Sequence, residues 1–529
     1  MWNTPGCPAY VATIAWKVHE MAASTEKSIT ALLFCLLILS AHTRSVVAFE
    51  NPKAKAAPKA KPHRRSAAEG FPPLPLPATP LRRTEKKRPP APPALVGMVH
   101  FPGRNLEIVA GQRTPVQIFP TTPVDIAPLM RYASSKLKTR YRHTVTSLKK
   151  FSWDPTELPL LYITGWTEMP RLPDMAIGQL RRYLYDGGTL FVDAQCGRKE
   201  FINTARREIA RIFPNRQLAL LDSDSELYSS YFRISEMRIR VDDKAFISRP
   251  PLLEALYLGC RPAIILSPID LNCGWDIVNN PIAGGILYHQ GDALRLGTNI
   301  ITATLANLPY GRSWGTRRSF HQQERDTRDQ LVVGQILHQG DWDPTPHALP
   351  NLMKYVRHTT TLNVQSKRIP VSPATDELFD YPVLYMTGLR DFTLSEAEVI
   401  ALRDYLAGGG MIVADAAAGR KAFDQAFRRE IRRVLPNAPL QQLPLDNAVY
   451  QWPHEIQRVV YSDAVTEANA NVGPPALEAI TLERQLAVVY SAMSFSNGWE
   501  ELTFAYNRGY SDADALRLGV NIFCYALTH

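Results

Sequence analysis

Leu161-Tyr162-Ile163-Thr164-Gly165 returns as Leu384-Tyr385-Met386-Thr387-Gly388, and several later segments of the chain return in the same order. Tyr183-Leu184-Tyr185-Asp186-Gly187-Gly188 recurs as Tyr405-Leu406-Ala407-Gly408-Gly409-Gly410, and Arg206-Arg207-Glu208-Ile209 as Arg428-Arg429-Glu430-Ile431. Asp292-Ala293-Leu294-Arg295-Leu296-Gly297 recurs as Asp514-Ala515-Leu516-Arg517-Leu518-Gly519. The offset stays at 222 to 224 residues. A period this long means two copies of a whole domain rather than a solenoid. The reading places copy one at 95–308, a polar linker at 309–330 and copy two at 331–529.

Within each copy, strand-like and helix-like segments alternate. Leu160–Thr164 and Thr189–Val192 are short apolar runs rich in β-branched residues, as buried strands are. Asp174–Tyr185 between them has helical spacing and ends at Gly187-Gly188, where glycine takes the left-handed cap conformation. Ser395 with Glu398 reads as a capping box. The next helix, 199–212, lines up Phe201, Ala205, Ile209 and Ile212; its counterpart lines up Phe423, Phe427, Ile431 and Val434. Alternation of this kind implies a mostly parallel sheet with helices on both faces. The expected fold class is α/β, as two tandem three-layer domains of flavodoxin-like or Rossmann-like type.

Charge locates the remaining organisation. The chain carries 60 Lys+Arg against 50 Asp+Glu, but residues 51–94 hold 11 basic and 2 acidic residues with 12 prolines. The globular remainder is almost neutral, which argues against a folded nucleic-acid face. Residues 49–94 read as an extended basic Pro-rich linker. It is suited at most to weak, non-specific contact with an anionic polymer. Before it, the apolar run 29–41 behind Lys27, followed by Val46-Val47-Ala48, has the plan of a signal peptide over 1–48. Met21 would open a more ordinary signal, so the first 20 residues have the character of an over-called start. The expected location is exported, periplasmic or extracellular, with a membrane anchor through an uncleaved segment as the alternative. No apolar run reaches the roughly 18 residues of a bilayer span.

The strand Tyr-(Pro)-Leu-Tyr-x-Thr-Gly, the helix end Leu-Arg-x-Tyr-Leu-x-x-Gly-Gly and Asp-x-x-x-Gly-Arg-x-x-Phe resemble a bacterial family known as domain of unknown function 4159. In copy two, Gly340-Asp341-Trp342 with Pro346 and Leu349 extends the resemblance. Copy one departs at its start, where Phe119-Pro120 stands near the place of Trp342-Asp343. The resemblance implies a fold similar to class I glutamine amidotransferase-like domains and brings no activity with it.

Ligands of open α/β sheets sit beyond the carboxyl ends of strands. Asp193 and Asp415 fall at such ends, directly before Gly197-Arg198-Lys199 and Gly419-Arg420-Lys421. Amide groups and basic side chains at a helix start suit an anion. The competing reading makes each Asp a helix cap or a partner of the Arg. Trp275 and Trp499, beside Asp276 and Glu500, read either as stacking platforms or as core edges. Asp341 and Trp342 form a similar loop. Cys196 follows a strand and precedes a helix, a place for a nucleophile; copy two has Ala418 there, and no Gly-x-Cys-x-Gly elbow occurs. Cys260 and Cys273 are a candidate pair. No Cys-x-x-Cys or His-Glu-x-x-His is present, so no metal and no cofactor are expected. Two functional readings stay open. One is a non-catalytic envelope protein that binds a small molecule or a protein partner. The other is an amidotransferase-like or hydrolase-like enzyme, active in copy one and degenerate in copy two.

Overall fold

Seven strands of copy one form one sheet: β1 (Ala94–Val99), β2 (Arg142–Thr146), β3 (Leu160–Gly165), β4 (Thr189–Ala194), β5 (Ala219–Leu220), β6 (Glu254–Leu258) and β7 (Arg261–Ser267). Their spatial order is β2-β1-β3-β4-β7-β6-β5. Copy two repeats the sheet with β8 (Val333–Ile336), β9 (Ile369–Val371), β10 (Val383–Gly388), β11 (Met411–Ala416), β12 (Gln441–Gln442), β13 (Glu478–Leu482) and β14 (Gln485–Ser491). The order there is β9-β8-β10-β11-β14-β13-β12. In both, the first five strands of the order pair in parallel, and the last two pair antiparallel at one edge. The computed structural model describes residues 93–101, 104–109, 112–117, 126–149, 151–242, 244–275, 285–317, 331–465 and 471–528. The expected signal segment, nearly all of the basic linker, Phe119-Pro120 and Asp276 lie outside the described residues.

Successive side chains of a strand point to opposite faces, and the continuous apolar runs of β3, β4, β10 and β11 therefore fill two cores each. Leu161, Ile163, Leu190 and Val192 face one cluster of copy one; Leu160, Tyr162 and Phe191 face another. Copy two divides Val383, Tyr385 and Val413 from Leu384, Met386 and Ile412 in the same way. Helices cover both faces. In copy one they are α1 (Ile126–Leu137), α2 (Asp174–Tyr185), α3 (Lys199–Ile212), the short α4 (Asn272–Trp275) and α5 (Gln290–Arg317). In copy two they are α6 (Ala348–Thr359), α7 (Glu396–Ala407), α8 (Lys421–Val434), the short α9 (Ser496–Glu500) and α10 (Asp512–Thr528). The apolar stripes read from sequence on α3 and α8 are buried residue for residue. Ser395 and Glu398 make the expected capping box at the start of α7.

Two features exceed the sequence reading. Helix α5 runs on to Arg317, and Tyr310 and Trp314 are buried in the core; the first residues of the polar linker thus belong to the fold. Copy one also carries a hairpin of Arg104–Val109 with Gln112–Gln117, and its small sheet of Met237–Val241, Ile247–Arg249 and Ile286–Tyr288 returns in copy two as a shorter pair, Val459–Val460 with Val472–Gly473. The two copies lie within one compact unit, 89–529. Leu389, Ala417, Ala418, Leu502 and Phe504 of copy two share a buried cluster with α2, α3 and β6 of copy one, and Phe504 packs on Tyr310 with ring centroids 5.0 Å apart. Among the described residues, no helix is long and apolar enough to cross a membrane.

Candidate functional site

The strand-end carboxylates turn inward. Asp193 and Asp415 have no exposed surface. Asp193 accepts the backbone N–H groups of Leu271 at 3.2 Å and Asn272 at 3.1 Å, which satisfies the first orphan donors of α4. Asp415 does the same for α9, through Phe495 and Ser496 at 3.1 and 3.0 Å. Each Asp therefore caps a helix, but the one after the fifth parallel strand rather than the one directly after its own strand. Burial pushes both carboxyls above the ordinary range. At Asp193 the neighbouring carboxylate of Asp270 adds to the push.

The Gly-Arg-Lys segments diverge between copies. The residue before each glycine takes the left-handed conformation, with φ 54° at Cys196 and 52° at Ala418. Gly197 and Gly419 follow at φ 62° and 65°, and a Cβ on Gly419 would meet the Arg508 carbonyl oxygen at 2.5 Å. This consecutive left-handed turn explains why the glycine stands twice in the chain. Arg198 lies over the Trp166 ring at 5.9 Å and near Glu200, and Lys199 is exposed. Arg420 is instead buried, paired with Glu226 of copy one and over the Tyr257 ring. The Lys421 backbone N–H donates to Asp224 at 2.9 Å. The copy-two segment is thus committed to the contact between copies, which corrects its reading as an anion site.

The tryptophans are core residues. Trp275 and Trp499 are 1% and 0% exposed, and each indole N–H donates to a backbone carbonyl of the final helix, Ala293 or Ala515. Neither ring has a face for a ligand. Glu500 is also buried and accepts the His347 N–H.

Cys196 is buried as well, and its backbone N–H donates to Asp270. The Asp270 carboxylate also accepts the Cys273 N–H at 2.9 Å. The Cys196 and Cys273 sulfurs and an Asp270 oxygen lie within 4.8 Å of one another, all buried. The hydrogen bond of the Cys273 thiol with Cys196, then burial, drives that thiol up, the opposite of what an activated nucleophile needs. Cys260 sits elsewhere, against Asn497 of copy two; no described cysteine is in a disulfide, and the Cys260–Cys273 pairing is not made. The set that could hold a metal comes from residues 196, 270 and 273. The sequence reading excluded a metal on local spacing, and such spacing does not register partners on separate strands.

Asp341 and Trp342 are the two sequence candidates that line an open cavity. A cleft of about 760 Å³ runs between the copies. Copy one contributes Arg181, Arg216 and Tyr257, and copy two His338, Asp341, Trp342 and Arg390. Arg216 lies 3.4 Å from the Asp341 carboxylate, and Arg368 pairs with Asp343 and covers the Trp342 ring at 5.1 Å. Arg390 has a buried Nε with no hydrogen-bond partner. The arginines of this wall were not legible as a site, because they come from α2, a loop of copy one and a loop of copy two.

His338 is held neutral at the cleft edge. Its Nε2 donates to the Thr387 carbonyl at 2.9 Å, and its Nδ1 accepts the Gly340 N–H at 3.0 Å. A second proton would set two donors face to face. Burial lowers the imidazole from 6.5 to about 4. Between these values the unfolded chain binds the extra proton and the folded chain does not, so stability falls as pH drops from about 6.5 to 4. The expected loss is about 1–3 kcal/mol, reduced by water in the cleft. His338→Gln should flatten that part of a stability-against-pH curve measured by guanidinium unfolding.

No curated protein matches the chain. The family described as a domain of unknown function (DUF4159) matches residues 121–305 and 332–527. The second stretch takes in the whole sheet of copy two, the first takes in that of copy one except β1, and together they span well over half of the sequence. The chain belongs to the DUF4159 family and carries its domain twice.

Proposed function

We propose that the protein is a non-catalytic binder that holds a small acidic saccharide in the cleft between its two domains. The observation that carries this reading is the buried, unpartnered Nε of Arg390 in the wall of the 760 Å³ cleft. A buried donor left unmet costs about 1–3 kcal/mol, and an anionic group on a ligand would supply the missing acceptor. Arg216 and Arg368 pair with Asp341 and Asp343, Arg390 is near enough to Asp341 and Asp222 to counter the upward push of burial on their carboxyls, and the lining of Arg181, Arg216 and Arg390 against Asp341 and Asp343 keeps a positive excess. Asn215, Gln217 and Gln339 offer amides to hydroxyl groups, and the Trp342 indole offers an apolar edge. The signal-like segment 29–41 and Val46–Ala48 support an exported location, with the basic linker as a tether to the envelope. N-terminal sequencing of mature protein from a periplasmic fraction tests that part.

The likeness to class I amidotransferase-like domains extends, in this reading, to the strand–turn–helix at Cys196 but not to chemistry. The same left-handed turn holds Ala418 in copy two, so the conformation serves the fold in the absence of a thiol. Cys196 is only 3% exposed.

Acidic saccharides and cell-wall fragments should raise the melting temperature of the full chain, as any ligand of the folded state does. Arg390→Ala should weaken that binding about tenfold or more, consistent with loss of a charged hydrogen bond. Lys199→Ala should leave it unchanged. Loss of binding in Lys199→Ala with retention in Arg390→Ala would move the ligand to the strand end and defeat the proposal. Turnover of a bound saccharide would favour the enzyme reading.

A further inference from the structure

We propose that Cys196, Asp270 and Cys273 form a site for one thiophilic divalent cation of the zinc class, built in copy one and erased from copy two. The three donors come from the turn after β4 and from the segment after β7, so adjacent parallel strands deliver them to one point. Their ligand atoms lie within 4.8 Å of one another. A tetrahedral site with Zn–S of about 2.3 Å and Zn–O of about 2.0–2.2 Å needs a somewhat tighter set, which rotation of the two thiols supplies. Two thiolates and a carboxylate suit zinc or a similar borderline cation and not magnesium or calcium. Three protein donors leave a fourth position for water or another ligand.

The comparison between copies separates this set from ordinary packing. Ala418, Ser494 and Asn497 occupy the matching places in copy two. There Asn497 Oδ1 accepts the Ala418 N–H at 2.8 Å, the bond that Asp270 makes to Cys196 in copy one. A neutral amide therefore holds the same left-handed turn. The fold needs neither the carboxylate nor the thiols, yet copy one has all three donors and copy two has none of them. The site is also short of positive charge. Asp193 and Asp270 are fully buried neighbours, and among the described residues no ion pair engages either one. Buried carboxylates are expected to be paired or to bind metal, and a cation at this point supplies the missing charge.

The test uses the full chain, purified under reductant without chelator, and reads metal content by mass spectrometry. About one equivalent of zinc per chain is expected, and cobalt(II) in its place should give a thiolate-to-cobalt absorption band. Cys273→Ser should lose most of the metal. The triple variant Cys196→Ala/Asp270→Ser/Cys273→Asn installs the residues of copy two, so it should fold, by circular dichroism and melting, and bind none. Substoichiometric metal after zinc loading, a cobalt complex without the thiolate band, or metal retained by the folded triple variant would each overturn the proposal. So would a Cys196–Cys273 disulfide in the purified chain. Saccharide binding in the cleft involves none of these residues, so either idea can fail without the other.

Discussion

Arg420→Ala destabilises the folded chain by about 3–5 kcal/mol, the range for stripping one partner from a buried ion pair. Arg420 is 7% exposed and its partner Glu226 2%, and the pair joins the two copies. Removing the guanidinium leaves the Glu226 carboxylate in a core from which water is excluded, already with one oxygen lacking a hydrogen-bond partner. Arg420 also lies over the Tyr257 ring, and its loss opens a void beside it. The measurement is the guanidinium unfolding free energy. Arg198→Ala is the built-in comparison. Arg198 occupies the same motif position in copy one but keeps a partly exposed side chain near Glu200, so its removal should cost below about 1 kcal/mol. The double variant Glu226→Leu/Arg420→Met should regain most of the loss, since apolar replacement of a whole buried pair is often neutral or better. Equal small effects for Arg198 and Arg420 would show that the contact between the copies does not depend on the pair.

The difference between those two arginines marks where sequence stops being informative. Strand and helix positions inside a copy follow from local pattern. Asp174–Tyr185, Lys199–Ile212 and the Ser395 capping box stand where periodicity and cap chemistry put them. The duplication reinforced this, because Phe201 and Phe423, or Ile209 and Ile431, had to serve the same face. Contacts between copies leave no such trace. Glu226 and Arg420 are 194 positions apart, and nothing in a Gly-Arg-Lys motif distinguishes a solvated arginine from one locked against another domain. Trp275 and Trp499 misled for a related reason. An indole in a Gly-Trp loop reads alike whether it faces solvent or the final helix, and here its N–H finds a carbonyl of that helix. Asn299 and Asn521 carried no signal at all. Each spans two loop carbonyls from inside the last helix, Leu227 and Phe232 or Val449 and His454. Buried amides at matching positions of a repeat are the one cue that would have found them.

Asp415→Ala should abolish the native packing of copy two. The carboxylate accepts five hydrogen bonds, from the N–H groups of Phe495 and Ser496, the hydroxyls of Ser494 and Ser496, and Tyr385 Oη at 2.8 Å. Alanine takes the shared acceptor from the two backbone N–H groups, Ser496 and Tyr385 in a buried core, while the Ser494 hydroxyl keeps Asn497 Oδ1 at 2.9 Å. Each orphaned buried group costs about 1–3 kcal/mol; even with partial relaxation the total exceeds about 4 kcal/mol, an exceptional value for one substitution. The start of α9 loses its cap at the same time, and Trp499, stacked on Phe495 at 4.5 Å, loses its fixed setting. Asp415→Asn keeps one accepting oxygen but turns a donor toward the others, so an intermediate loss is expected. Near-ultraviolet circular dichroism and thermal melting read the effect. A variant that melts within a few degrees of the parent would mean the carboxylate is dispensable for folding. The strand-end site would then be open again to a ligand. If Asp415→Ala instead unfolds copy two, the buried carboxylate is the post on which the α9 loop is hung.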